Sequence, residues 1–413
     1  MEAIHLNAAL FLAQLVLILI IARCVGWLAV QIGQPRVVGE MIAGILLGPT
    51  LFGYFAPDLQ QQLFTDESRP LLALGAQIGI GLYMFIVGME FDNSMFQQRA
   101  RSALTISASG ILVPFAMACL LAGWLLEFGG LFADNMTWGE ATLFLGAAIS
   151  ITAFPMLARV IQEQGLANSR LGTLVLAAAA IDDVAAWCLM ALVLASFGGD
   201  DTLFYKAIIG SILFTAFMLT IVKKYATRLE SNYVAAGRLT PTLALIVLCL
   251  WVMSVATTDM IGLHAVFGGF LLGVVMPRGL LAEHIIKRIQ PIVLIGLVPL
   301  FFAVSGLKTD LSVLSQGALW QIAIAVTAAS IFAKAFACYF AARICGENHP
   351  MSLAVGVLMN ARGMMELILL NIALENGIIQ TDLFSVLVLM TIITTMMATP
   401  LFNLLQRRND FRV

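Results

Sequence analysis

The chain has 413 residues, 61% of them hydrophobic and only 11% charged, with a formal net charge of −2. A soluble domain is about 45–50% apolar and about 25% charged, so this chain reads as an integral membrane protein. The near-balanced charge gives no footing for nucleic acid, and the length suits a single membrane domain over 1–413 with no soluble regulatory module.

A spanning helix needs about 20 mostly apolar residues. About thirteen such stretches follow one another: 7–31, 36–53, 70–90, 102–127, 141–163, 168–197, 203–224, 240–258, 261–277, 289–307, 318–344, 350–374 and 381–404. The first is preceded by Glu2 instead of a basic segment, so it reads as a retained helix and not a cleaved signal. The second opens with GQPRVVGEMIAGILLG (33–48), which is packing and not a phosphate cradle, because no Lys-Ser/Thr follows its glycines. The six cysteines show no metal or disulfide spacing and read as small buried hydrophobes.

Lysine and arginine placement sets the orientation. With the N-terminus outside, the inner ends collect Arg36, Arg99, Arg101, Arg159, Arg170, Lys223, Lys224, Arg228 and Arg343, and the outer side keeps only Arg69, Lys206 and Lys308. The outer loops are acidic instead, with Asp66, Glu67, Asp134 and Glu140. The C-terminus is then cytoplasmic and the helix number odd.

The chain repeats itself. VGEMIAGILLG (38–48) matches LHAVFGGFLLG (263–273), so that Gly44 and Gly48 correspond to Gly269 and Gly273. LYMFIVGMEFD (82–92) matches LFFAVSGLKTD (300–310), pairing Gly88 with Gly306. LGAAISITAFP (145–155) stands at a similar offset from VGVLMNARGMM (355–365). One repeat then covers about 7–197 and the other about 240–404, joined by a connector helix at about 203–224. Six helices plus one connector turn the second repeat upside down, the pattern of secondary transporters.

Two helices break at matching depth. In AAISITAFPMLARV (147–160), Pro155 removes a backbone N–H, with Ser150 and Thr152 beside it. In GVLMNARGMMELIL (356–369), Asn360, Arg362 and Gly363 interrupt the run. Interrupted helices in corresponding places of two repeats point to a transporter's binding site. Crossed there, their ends would carry partial charges, and Arg362 could compensate two C-terminal ends. Glu366, one turn further, pairs with Arg362 in a structural or gating role.

Charge deep in these runs is costly. An Asp at a helix centre costs about 2.5–3.5 kcal/mol on insertion scales. Yet Asp182 and Asp183 stand side by side in AAAAIDDVAAW (177–187), and Lys334 is a lone ammonium in ASIFAKAFACYF (329–340). Neighbouring positions point about 100° apart on a helix, so one carboxylate can pair with Lys334 while the other faces a water-filled cavity. A buried pair can be purely architectural. Asp183 would then still lack a partner, which makes it the group on which a proton and a hard cation compete. Glu40 and His264 hold related places in the two repeats, and His264 reads as an ordinary helix-end residue.

QPRVVGEMIAGILLGPTLFG (34–53), ITAFPMLARVIQEQGL (151–166), AAIDDVAAW (179–187) and Lys334 together resemble the monovalent cation:proton antiporters, in their second superfamily. The resemblance covers essentially the whole chain. It implies an all-α fold of about thirteen helices in inverted repeats with two crossing broken helices, working as a homodimer in the lipid bilayer of a cell inner membrane. It implies an elevator-type motion of a six-helix core. By motif position Asp183 would carry the cation or proton, Asp182 would pair with Lys334, and Thr152 and Asn360 would lie at the crossing. Ser150 joins the candidate cation ligands. No catalytic residue, cofactor or nucleotide is expected beyond the transported H+ and Na+ or K+. The aspartate pair matches bacterial Na+/H+ exchange, whereas ITAFPMLAR, DVAAW and NARGMMEL stand closer to plant and fungal exchangers associated with K+. Na+ is the favoured cargo. A K+/H+ antiporter or K+ efflux pathway is the alternative, and a non-transporting sensor or subunit on the same fold is the second.

Overall fold

The computed structural model describes residues 2–90, 93–166, 169–197, 209–210, 212–261, 265–312 and 317–406. His264, Lys206 and the first part of the connector helix lie outside them, as does the tail after residue 406. The described chain is helical almost throughout. α1 spans Glu2–Gln31, α2 Arg36–Leu47, α3 Phe52–Phe55, α4 Pro57–Leu63, α5 Arg69–Glu90 and α6 Asn93–Phe128. α7 (Trp138–Ser150), α8 (Phe154–Glu163) and α9 (Arg170–Phe197) follow. After the connector come α10 (Lys223–Ala236), α11 (Pro241–Ile261), α12 (Ala265–Val275), α13 (Leu280–Ile292) and α14 (Val298–Leu307). α15 (Gly317–Ile344), α16 (His349–Leu358), α17 (Met364–Glu375) and α18 (Thr381–Gln406) complete the order.

Among the described residues, eight helices are long and apolar enough to cross a membrane. The two broken runs fall short of that length because each is split in two. Several boundaries differ from the sequence reading. α13 and α14 form one run from Leu280 to Leu307 joined by a π-helical segment, Val293–Leu297, although Pro291 lies inside it. The connector continues as helix to Ala236 and ends at Gly237, whose left-handed φ of 65° is the usual glycine stop. α3 and α4 fill a stretch read as loop. α6 starts earlier than expected and bends at Arg99 (φ −126°, ψ 18°).

All six cysteines are free. The expectation of burial holds for Cys338 only; Cys24, Cys188 and Cys249 are exposed and Cys119 and Cys345 intermediate. In a helix that faces hydrocarbon an apolar thiol has no water to avoid, so exposure costs little.

The chain forms two compact units, one from residues 1–20, 61–92 and 198–304, the other from 21–60, 93–197 and 305–413. Each draws on both halves of the sequence, so the units cut across the repeats. Within each, the matched glycines meet reciprocally. In the first unit, a Cβ on Gly273 would collide with the Phe85 carbonyl and the Gly88 backbone. In the second, a Cβ on Gly48 would collide with the Gly306 carbonyl. Helix α2 thus meets α14 as α12 meets α5, which is the exchange of partners an inverted repeat requires. Such closeness depends on residues with no side chain.

The second unit holds the polar centre. α6 packs on α7, α9 and α15, and α16 packs on α15. Its buried polar side chains include Ser107, Thr152, Asp182, Asp183, Ser330, Lys334, Asn360, Arg362 and Glu366. Glu40 of α2 is also buried.

Candidate functional site

The first broken helix ends α7 at Ser150, crosses Ile151–Ala153 in extended backbone, and restarts as α8 at Phe154. Pro155 lies just after the break. It is the second residue of α8, where a missing N–H removes no helical bond. The second break separates α16 from α17 across residues 359–363 and contains Asn360, Arg362 and Gly363, as the sequence indicated. Gly363 has an extended φ of 162° and no close neighbour at its Cβ position, so the turn itself does not demand glycine there.

The two breaks touch. The Ala153 N–H donates to the Ala361 carbonyl at 3.1 Å, and the Thr152 hydroxyl donates to the Met359 carbonyl at 2.8 Å. Each unwound segment thus satisfies backbone groups that the other leaves free.

Two basic side chains close the end of α7. Arg362 donates through Nη1 to the Ala148 carbonyl at 2.7 Å and through Nη2 to the Ile149 carbonyl at 2.5 Å. Lys334 of α15 donates to the next carbonyl, that of Ser150. Three successive terminal carbonyls, the negative end of the helix dipole, are answered by two cations. The expectation that Arg362 would compensate two helix ends is corrected to one. The end of α16 needs no cation, because the Asn360 and Ala361 N–H groups turn back onto Val357 and Leu358 and Thr152 covers Met359.

The adjacent aspartates differ in what they receive, though each is 1% exposed. Asp182 accepts from Lys334 Nζ at 2.6 Å and from the Ser107 hydroxyl of α6 at 2.5 Å. Asp183 accepts one long bond, from the Phe154 N–H at the start of α8, at 3.4 Å. Its Oδ2 has no hydrogen-bond partner among the described residues. Asp183 lies beneath the N-terminus of α8, which meets it through the Phe154 N–H.

The remaining candidates sort by their bonds. Ser150 donates its hydroxyl to Ala147 of its own helix at 3.2 Å, so its contribution to the site is its carbonyl. Asn360 donates to the Gly356 carbonyl at 2.9 Å, which leaves its Oδ1 buried without a donor. Glu366 meets Arg362 at 3.4 Å, with both side chains fully buried. Three supporting residues escaped sequence reasoning: Ser107 on Asp182, Ser330 on Arg362, and Thr395, whose Oγ1 accepts the Arg362 N–H at 3.1 Å. A hydroxyl in an apolar helix gives no sequence signal that separates such a role from back-bonding within the helix. Glu347 also escaped notice; it is buried between α15 and α16 and held by Arg99 at 3.1 Å and Arg170 at 3.0 Å.

A split helix pair, with one saturated and one unsaturated carboxylate at the crossing, is the geometry expected of an ion exchanger. Comparison with known proteins agrees: the family model of the sodium/hydrogen exchanger transmembrane region matches residues 16–405. The chain belongs to the sodium/hydrogen exchanger family. That is a family of membrane exchangers and not of catalytic enzymes. Among exchangers similar to it is "Na(+)/H(+) antiporter NhaS4" of Synechocystis, 38% identical over 95% of this chain and 96% of that protein. "K(+)/H(+) antiporter 1" of Saccharomyces cerevisiae is 33% identical over 97% of this chain, which spans only 47% of the yeast exchanger's length. The solved structure of the sodium proton antiporter MjNhaP1 from Methanocaldococcus jannaschii matches with a TM-score of 0.70 over 97% of this chain and 99% of that one. At 14% identity the likeness to that exchanger shows the fold.

Proposed function

We propose that this cation/proton antiporter carries its cargo on Asp183, where a monovalent cation and a proton compete for the same carboxylate. One observation carries the reading: of two adjacent, equally buried aspartates, Asp182 is saturated by Lys334 and Ser107, while Asp183 keeps an oxygen with no partner. The charges agree with it. Three buried carboxylates (Asp182, Asp183, Glu366) face two buried cations (Lys334, Arg362), so one monovalent cation or one proton on Asp183 brings the cluster to neutrality. The α8 N-terminus supports the charged form of Asp183 when neither is bound. Thr152 and Asn360 supply oxygens beside it, and Ser150 its carbonyl.

Na+ is the proposed cargo, supported by the likeness to the cyanobacterial exchanger over nearly the full length of both chains. K+ is the second reading, supported by the yeast relative and by the motif NARGMMEL. The protein would sit in a cell inner membrane as a homodimer, N-terminus outside, with the second compact unit moving as the carrier in an elevator-type cycle. Repeat 1 (about 7–197), the connector (about 203–224) and repeat 2 (about 240–404) form one antiporter domain.

The test is pH-gradient dequenching in proteoliposomes with Na+, Li+ and K+ added separately. Na+ and Li+ should collapse an imposed gradient, and Asp183→Asn should reduce the response to background. Because proton and cation share a site, the apparent cation affinity should fall by at least about tenfold per pH unit below the titration of Asp183. A K+-only response would assign the K+ reading. No response to any cation would leave the site structural and favour a non-transporting subunit.

A further inference from the structure

We propose that Glu366 is a second proton-binding group of the exchange, taking up its proton in the same half-cycle as Asp183. This rests on the reading of Asp183 as the carrier. Glu366 is fully buried in the first turn of α17, one turn from the crossing. Its partner Arg362 is engaged elsewhere: Nη1 already serves the Ala148 carbonyl at 2.7 Å, and Nη2 serves Ile149 and Ser330. From Arg362, Glu366 receives only the long second bond of Nη1, at 3.4 Å. Its Oε2 is buried without a partner, as is the Nε of Arg362. The other two buried carboxylates outside the carrier position with described ion pairs are better held, Asp182 by Lys334 and Ser107, Glu347 by two arginines. Glu366 and Asp183 thus share one property: a buried carboxylate oxygen with no hydrogen-bond partner among the described residues.

A buried charge so weakly answered is costly, and a hydrogen on Oε2 removes that cost. The α17 N-terminus supports the anion when the proton leaves. Few other charges bear on it. α7 carries only Glu140, in its first turn; α9 carries Asp182 and Asp183 in its middle and Arg170 at its start; α18 carries Asp382 in its first turn. Thr391 of α18 lies beside the carboxylate, but donates its hydroxyl hydrogen to Leu387 at 2.9 Å. The proton arrives as H+, forms an O–H bond at Oε2, and leaves as H+ when that bond breaks; no other bond is made or broken. With a cation on Asp183 the cluster is neutral. With a proton on both Asp183 and Glu366 it carries one positive charge, so the return step moves charge and responds to membrane potential.

The experiment measures protons released per cation bound by the purified full chain in weakly buffered detergent, with NaCl and KCl as titrants, across pH about 5–9. The wild type should release about two protons per cation at its maximum and Glu366→Gln about one. About one proton in both would overturn the proposal while leaving exchange at Asp183 intact. No release in the wild type would instead sink the carrier reading itself. Should Glu366→Gln fail to fold, Glu366→Asp keeps the acid but moves it back by a methylene. Its release profile should be displaced along the pH axis, and superposition on the wild-type profile would overturn the assignment.

Discussion

The two broken helices are both unwound at the crossing but differ in how their ends are met. At the end of α7, the carbonyls of Ala148, Ile149 and Ser150 are taken by Arg362 and Lys334, both from the second half of the chain. At the break after α16, turn bonds and the hydroxyls of Thr152 and Thr395 suffice. The first half supplies the carboxylates, Asp182 and Asp183, and the second half the cations and Glu366. A repeat gives the frame, two unwound segments that satisfy one another's backbone. The chemistry comes from where the repeat departs from itself, since identical halves would set like charges against like.

The sharpest way to break this contrast is to remove one charge at the first break. Lys334→Met leaves Asp182 buried with Ser107 as its sole donor and uncovers the Ser150 carbonyl. Losing one partner of a buried pair costs about 3–5 kcal/mol, read as a fall in stability to denaturant in detergent. Replacing both partners, Asp182→Leu with Lys334→Met, should recover most of that loss, because an apolar pair no longer strands a charge. A double variant as unstable as the single would mean that Lys334 serves the helix end and not Asp182.

The glycine contacts test whether the frame itself is symmetric. Gly48→Ala and Gly273→Ala each drive a methyl into a backbone carbonyl, which no rotamer change relieves, so each should cost about 1–3 kcal/mol. Gly139→Ala in the first turn of α7, where nothing lies within 4 Å of the new methyl, should be neutral or mildly stabilising. Equal losses at Gly48 and Gly273 would show that the two reciprocal contacts carry equal weight. A loss at only one would mean that one helix pair can slide apart.

The sequence carried the frame and the charges well, for a definite reason. Hydrocarbon penalises every polar group, so Asp182, Asp183, Lys334 and Arg362 stood out against their surroundings, and both breaks fell where Pro155 and Asn360–Gly363 marked them. The glycine matches were legible because close approach allows only small residues. What could not be read is pairing at a distance. Nothing local in Ser107, Ser330 or Thr395 announces a partner 75, 32 or 33 residues away. Pro155 marked the first break to within a few residues, because proline is tolerated where a helix restarts. Exposed cysteines were read as buried because the rule that apolar means inside fails when the outside is lipid.

The second break offers the smallest and most discriminating test. Thr395→Val removes the acceptor of the Arg362 N–H, and Thr152→Val removes the donor to the Met359 carbonyl, in each case without altering charge. A neutral hydrogen bond is worth about 1 kcal/mol, so each should lower stability by that order, well short of Lys334→Met. They should differ in transport. Thr152 lies two residues before Phe154, whose N–H meets the proposed carrier carboxylate Asp183, so its loss should weaken apparent cation affinity in the dequenching assay, whereas Thr395→Val should leave that affinity near the wild-type value. If Thr395→Val shifted cation affinity as much as Thr152→Val, the hydroxyls of the second break would belong to the ion site, and the division between a helix end met by cations and a helix end met by neutral hydrogen bonds would fail.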